Sequence, residues 1–193
     1  MLEEVLLGGG SFWGLEAALS ALNGVEEVWP GYAGGHMDYP NRELVATGIT
    51  GHVEVVQVTY DPEVINFNML LRAFFAAHDS SIENSGLHRT PGPRQYASVI
   101  FYSTKEQKVI ARQKIAQRNE DEEIKLPTRT KLHPMASFWV AEARDIGYYF
   151  FNHHRDEYCK EVIKPRLNRF ARDFWQYLKL PERALRNNPY GSR

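Results

Sequence analysis

Cysteine is nearly absent: the chain has one, Cys159, in 193 residues. A single thiol cannot close an intramolecular disulfide, which excludes a disulfide scaffold and points to a reducing compartment. No run of about 18 apolar residues occurs, so no membrane-spanning helix is expected. Met1–Leu7 carries Glu3 and Glu4 and has no room for the apolar centre of a secretory leader, so a cytoplasmic protein is predicted. Excess charge is also lacking, at a formal net of −1, so no overall field draws the chain to nucleic acid or acidic lipid. Arg166, Arg169 and Arg172 recur every three residues and read as a solvated helix face. Gly8-Gly9-Gly10 is not followed by Gly-Lys-Ser/Thr, which excludes a phosphate loop, and no Gly-x-Ser-x-Gly elbow is present. The seven histidines show no spacing that builds a zinc site, and no metal is expected.

Apolar material is plentiful, at 43% of the chain, enough for a core of its own. Val5-Leu6-Leu7 reads as a buried strand stopped by three glycines. Leu15, Ala18, Leu19 and Leu22 then follow helical spacing, which puts Ser11 at the N-cap. Val25–Tyr32 and His52–Tyr60 read as strands, the second with β-branched alternation. Asn66–His78 is an apolar-periodic helix started by Asn66 or Asn68, and Gln95–Tyr102 is a strand. Ser103–Asn119 is a charged helix capped by Ser103 or Thr104, and Ile124–Leu132 a further strand. From Phe138 onward the pattern reads as helical and aromatic. This order predicts an α+β fold, a single domain over residues 1–180 with helices packed on a sheet, and a C-terminal tail at 181–193.

Two positions carry chemistry. A residue at 11, where a glycine turn hands over to a helix, faces free backbone N–H groups that stabilise an anion. A thiolate there would have a lowered pKa; a serine there also reads simply as a cap. Phe12 and Trp13 read either as walls of an adjacent apolar pocket or as core. Strand alternation puts Glu54 on the face of Val56 and Val58, with Val53 and Val55 on the other. A carboxyl among valines resists ionisation and becomes a proton donor near neutral pH. Pairing with His52 or Arg94 is the competing reading. Tyr96, on its predicted strand, and Tyr32, in a glycine-rich loop, are further candidates.

Taken together, several segments resemble the peptide methionine sulfoxide reductase A family. They are Gly10-Ser11-Phe12-Trp13-Gly14-Leu15-Glu16, Gly31-Tyr32-Ala33-Gly34-Gly35, Thr50-Gly51-His52-Val53-Glu54-Val55-Val56 and Gln95-Tyr96-Ala97-Ser98. Phe138-Trp139-Val140-Ala141-Glu142 and Tyr158-Cys159-Lys160-Glu161-Val162-Ile163-Lys164-Pro165 extend the resemblance towards Phe174. It implies a mixed sheet around a ferredoxin-like core and thiol-dependent reduction of methionine-S-sulfoxide, free or in proteins, as a repair of oxidative damage. Ser11 then occupies the nucleophile's position. Phe12 and Trp13 hold the substrate's methyl group, Glu54 protonates its oxygen and Tyr96 hydrogen-bonds it. No cofactor is implied beyond an external thiol reductant such as thioredoxin. Cys159 is either a resolving thiol or a buried packing residue.

Departures from the family pattern are as informative. The family keeps a cysteine where Ser11 stands. A serine hydroxyl is protonated at neutral pH and would need an O–O bond to take the oxygen, so the chain is expected not to turn over. Arg42 stands where a second oxygen-binding tyrosine is usual, with Tyr39 nearby as a substitute. Pro91 alters a rim loop, and Arg144-Asp145 replace a Tyr-His pair. Ser11 is therefore an engineered change in a working reductase, the mark of a non-catalytic binder of oxidised methionine, or the nucleophile of an acyl-transfer enzyme with Glu54 as its base.

Overall fold

The computed structural model describes residues 1–81, 94–121 and 126–179. The predicted tail and the loop around Pro91 lie outside these residues. Four strands form the centre: β1 (Glu3–Gly8), β2 (Val25–Ala33), β3 (Val53–Tyr60) and β4 (Val99–Tyr102). They lie in the order β4-β1-β3-β2, every neighbour antiparallel, with helix α1 (Phe12–Ser20) between β1 and β2 and α3 (Phe67–Ala77) between β3 and β4. This βαββαβ order is the ferredoxin-like core that the resemblance implied. Two short strands extend it. β5 (Lys131–Pro134) runs parallel to β4, which makes the sheet mixed, and β6 (Phe138–Val140) runs antiparallel to β2.

Alternation along the strands sorts the core into two faces. Val5, Leu7, Val56, Val58 and Ile100 face the helices, together with Leu15, Leu19, Leu70, Leu71 and Phe74 from α1 and α3. Leu6, Val53, Val55, Val99 and Phe101 point to the opposite face, under Ala97, Ala136 and Phe138. Full burial of a side chain such as Leu7 or Phe74 contributes about 1.5–3 kcal/mol relative to exposure. Helix starts follow capping chemistry. Asn66, not Asn68, caps α3 and accepts the Met69 N–H at 2.9 Å. Thr104, not Ser103, caps α4 (Lys105–Glu120) and accepts the Gln107 N–H at 3.1 Å, while Gln107 Oε1 receives the Ser103 N–H at 2.8 Å.

Three readings of the sequence are revised, and one element had no reading at all. The strand expected over Gln95–Tyr102 begins only at Val99; Arg94–Tyr96 forms a 3₁₀ turn, because the Tyr96 carbonyl accepts Gly10 N–H at 3.1 Å and Ala97 N–H bonds back to Arg94. Of the strand expected over Ile124–Leu132, the described residues 126–130 lie outside the sheet and β5 begins at Lys131, since Thr128 gives its N–H to Asn119 and its hydroxyl to Ser80 rather than joining a ladder. Phe138–Val140 is a strand rather than a helix start, recruited to the edge of β2. A short helix, α2 (Arg42–Ala46), begins at the cap Asn41 in a stretch that gave no helical period. The helical C-terminal part comprises α5 (Tyr148–Asn152), a π-turn over Cys159–Ile163 and α6 (Lys164–Asp173). Arg169 and Arg172 are exposed on α6, but Arg166 is half-buried and lines a cleft, so the solvated face holds for only two of the three arginines. Among the described residues no helix is long and apolar enough to cross a membrane.

Candidate active site

The site forms where β1 ends and α1 begins. Gly10 adopts φ +77°, a conformation that favours glycine, and turns the chain so that Ser11 becomes the N-cap of α1. A Cβ at Gly9 would meet the ring of His78 at 2.6 Å, so only a glycine lets β1 pass α3 there. The Ser11 hydroxyl makes no capping bond. Ser11 lines a small cleft between α1 and the C-terminal helices, with Leu15, Tyr158, Ile163 and Arg166 among the other walls.

On the helix-facing side of β3, directly opposite Tyr32 of β2, lies Glu54. It is 1% exposed, as strand alternation predicted. Its Oε2 accepts the Phe12 N–H at 3.2 Å, at the first turn of α1, and its Oε1 accepts Gln95 Nε2 at 3.4 Å. Burial pushes its carboxyl up to about 8. The Phe12 N–H, the Arg42 charge and the Gln95 amide oppose that rise, while Asp145 adds to it. Glu54 is therefore mostly protonated at neutral pH. Neither His52 nor Arg94 is its partner: His52 accepts Gly35 N–H at Nδ1 and bonds the Met37 carbonyl through Nε2, and Arg94 is exposed.

The aromatic walls are ordered by carboxylates. Phe12 is fully buried, its ring centroid 5.7 Å from that of Tyr32. Trp13 stacks on Tyr148 at 3.7 Å, meets Tyr158 edge-on at 6.4 Å and donates its indole N–H to Asp145 Oδ1 at 3.1 Å. Tyr32, also fully buried, donates its hydroxyl to Glu142 Oε2 at 2.8 Å. Tyr96 is half-buried on its 3₁₀ turn, within electrostatic reach of Glu54 and Arg42; burial is the main cause that raises its hydroxyl pKa, and the Gln95 amide lowers it. Tyr39 is 81% exposed and packs edge-on against Trp139, outside the buried wall that Phe12, Tyr32 and Glu54 share. Cys159 is fully buried at the head of the π-turn, its N–H donated to Asp156 Oδ1 at 2.8 Å. Burial, with a hydrogen bond to Asp156, pushes its thiol up to about 12.

Three participants had no role assigned from sequence. Gln95 lies between Glu54 and Tyr96, and its own Oε1 is buried with no partner among the described residues. Glu142 holds Tyr32 and also the Arg42 N–H at 2.7 Å. Asp145, with its side chain inaccessible, binds Trp13 and Arg42. A polar residue of this kind, adjacent to aromatics but distant in sequence, leaves no periodic signal. Among the described residues no three His, Cys, Asp or Glu side chains come together to hold a metal ion.

Ser11 at a helix N-terminus, a buried carboxyl bonded to the first turn of that helix and an aromatic wall thus come together on a ferredoxin-like fold. The sequence profile of the peptide methionine sulfoxide reductase family matches residues 3–179. The chain is 42% identical over 178 residues to the peptide methionine sulfoxide reductase MsrA of Chromobacterium violaceum, covering 92% of this chain and 99% of that protein. It is 45% identical over 184 residues to the MsrA of Thermus thermophilus, covering 93% and 99%. Among solved structures, methionine sulfoxide reductase A of Corynebacterium diphtheriae superposes with TM-score 0.71 at 27% identity, over 78% of this chain and 75% of that one. Mxr1 of Saccharomyces cerevisiae in its reduced form gives 0.73 at 27%, over 82% and 89%. The chain belongs to the peptide methionine sulfoxide reductase family.

Proposed function

We propose that this site binds the S-epimer sulfoxide of methionine, free or within proteins, and is built for its thiol-dependent reduction in the repair of oxidative damage. The observation that carries the reading is Glu54: a carboxyl buried on the helix side of the sheet, still protonated near neutral pH and hydrogen-bonded to the first turn of the helix that Ser11 caps. Phe12 and Trp13 supply the apolar wall for the methyl group, and Tyr96 a hydroxyl beside the acid. Tyr32 buttresses Phe12 from behind, since its own hydroxyl is occupied by Glu142.

With a thiol at position 11, the chemistry balances simply. The sulfur attacks the sulfoxide sulfur, Glu54 gives its proton to the departing oxygen, and that oxygen ends on the enzyme sulfur as a sulfenic acid while methionine leaves. An external dithiol of the thioredoxin type then returns the sulfenic acid to the thiol, forming its own disulfide and water. No metal or organic cofactor enters. Ser11 breaks the sequence at its first step, because the product would be a hydroperoxide in place of a sulfenic acid. The chain as it stands is then a binder of oxidised methionine that does not turn over.

An acyl-transfer reading of Ser11 has less support. Glu54 is held by Phe12 and Gln95, and a protonated carboxyl is no base. His78, which packs on Gly9, has both ring nitrogens engaged, by the Phe74 carbonyl and the Ser98 hydroxyl. The test is reduction of a methionine-S-sulfoxide peptide with excess dithiothreitol by this chain and by Ser11→Cys. Turnover in the cysteine form alone is the expected result. Turnover in neither, with both folded, removes the reductase reading and leaves sulfoxide binding as the next measurement.

A further inference from the structure

Two of the departures from the family pattern, far apart in sequence, meet in space. Arg42 begins α2, and Asp145 lies in the turn before α5; Arg42 Nη1 and Asp145 Oδ1 are 2.6 Å apart. The guanidinium carbon lies 4.3 Å from the centroid of the Trp13 ring, on the same indole whose N–H Asp145 accepts. One buried carboxylate thus fixes both an apolar wall of the site and a cation against it. The Arg42 backbone is fastened separately, its N–H donated to Glu142 Oε1 at 2.7 Å. The guanidinium side chain stays 32% exposed, and among the described residues no acceptor sits on its Nε or Nη2. Its charge is felt at both Glu54 and Tyr96, the two groups assigned to the substrate oxygen.

We propose that Arg42, oriented by Asp145, is the second hydrogen-bond donor to the sulfoxide oxygen in this chain, acting from the position where the family resemblance places a tyrosine hydroxyl. The chemistry suits the ligand. A sulfoxide oxygen carries a large partial negative charge, and a guanidinium N–H is a charge-assisted donor that needs no proton transfer to act. Asp145 supplies the counter-charge that holds the guanidinium in place. Tyr39, exposed on Trp139, is not needed for the role.

The inference rests on the sulfoxide-binding reading above, and the test separates the two. The Ser11 chain binds without turnover, so affinity is measured directly by calorimetry, using N-acetyl-methionine-S-sulfoxide methylamide and the corresponding sulfide, which lacks the oxygen. Arg42→Met is expected to weaken the sulfoxide about tenfold and leave the sulfide unchanged. Arg42→Tyr is expected to keep most of the preference for sulfoxide, because it returns a hydroxyl donor to the same position. Equal loss of both ligands in Arg42→Met overturns the proposal, since the guanidinium would then serve only to pack Trp13. Unchanged affinity for both overturns it as well. If Arg42→Met does not fold, the decision falls to Arg42→Tyr: loss of its preference for sulfoxide over sulfide rejects the role. If the unmodified chain does not prefer sulfoxide to sulfide, the functional reading itself fails, and the proposal falls with it.

Discussion

Glu54 holds a proton because burial denies its charged form water, and the Phe12 N–H with the Arg42 charge recovers only part of that loss. Its pKa of about 8 sets a pH limit on any chemistry that needs the acid. In the Ser11→Cys form, the rate of the sulfoxide-reduction step should fall as pH rises through about 8, and Glu54→Gln should lower it by about 10²-fold or more. Single-turnover kinetics across pH 6–10 checks both; a flat profile removes Glu54 as the acid. Cys159 makes a contrasting case. Fully buried, and pushed up to about 12, its thiol is neither accessible nor ionised. In the native chain it should resist iodoacetamide at pH 8 and react only once denaturant is added. Rapid native labelling, read by mass spectrometry, would show that the π-turn opens and would restore Cys159 as a candidate resolving thiol.

At the scale of elements, the rim of the site depends on an edge strand. β6 is three residues long and is held to β2 opposite Gly31, Tyr32 and Ala33. A Cβ at Gly31 would run into the Trp139 carbonyl and the Phe138 ring. Gly31→Ala should therefore push β6 from the sheet, lower Tm, and weaken sulfoxide binding through the Glu142 turn that follows, which holds Tyr32 and Arg42. Unchanged Tm and affinity would mean that β6 shifts without cost. Helix α4 offers a calibration away from the site. Thr104→Ala removes the side-chain cap from Gln107 N–H and should cost about 1 kcal/mol in urea unfolding, with no effect on sulfoxide affinity.

For the whole molecule, two buried groups tilt stability with pH in opposite directions. His78 is buried and neutral; desolvation lowers it from 6.5 to about 4, so the unfolded chain takes up its proton first on acidification. Stability is thus complete above pH 6.5 and declines as pH falls towards 4, by on the order of 3 kcal/mol at about 1.4 kcal/mol per unit. Glu54 works the other way. The folded chain keeps a proton that unfolded glutamate releases at 4.5, so its contribution is complete below 4.5 and is lost as pH rises to about 8, by on the order of 5 kcal/mol. Glu54→Gln should flatten the alkaline limb of a plot of unfolding free energy against pH while leaving the acid limb in place. If the two limbs do not separate in this way, Glu54 ionises normally in the folded chain.

Much of this was determined by the sequence itself. The alternation in His52–Tyr60 assigned Glu54 to a valine-lined face, and β3 places it there, because a two-residue period in a strand allows no other outcome. The glycines before Ser11 and the helical spacing after it located the N-cap, since backbone sterics and local hydrogen bonding decide such a turn within a few residues. Tertiary structure decided the rest. It bent Gln95 and Tyr96 out of their predicted strand by pairing the Tyr96 carbonyl with Gly10, and it drew Phe138–Val140 into the sheet through the open edge of β2. It also joined Arg42 to Asp145, which 102 intervening residues separate in the chain. An ion pair of this kind has no local periodicity, and its partners become identifiable only when packing brings the two side chains against the same indole ring.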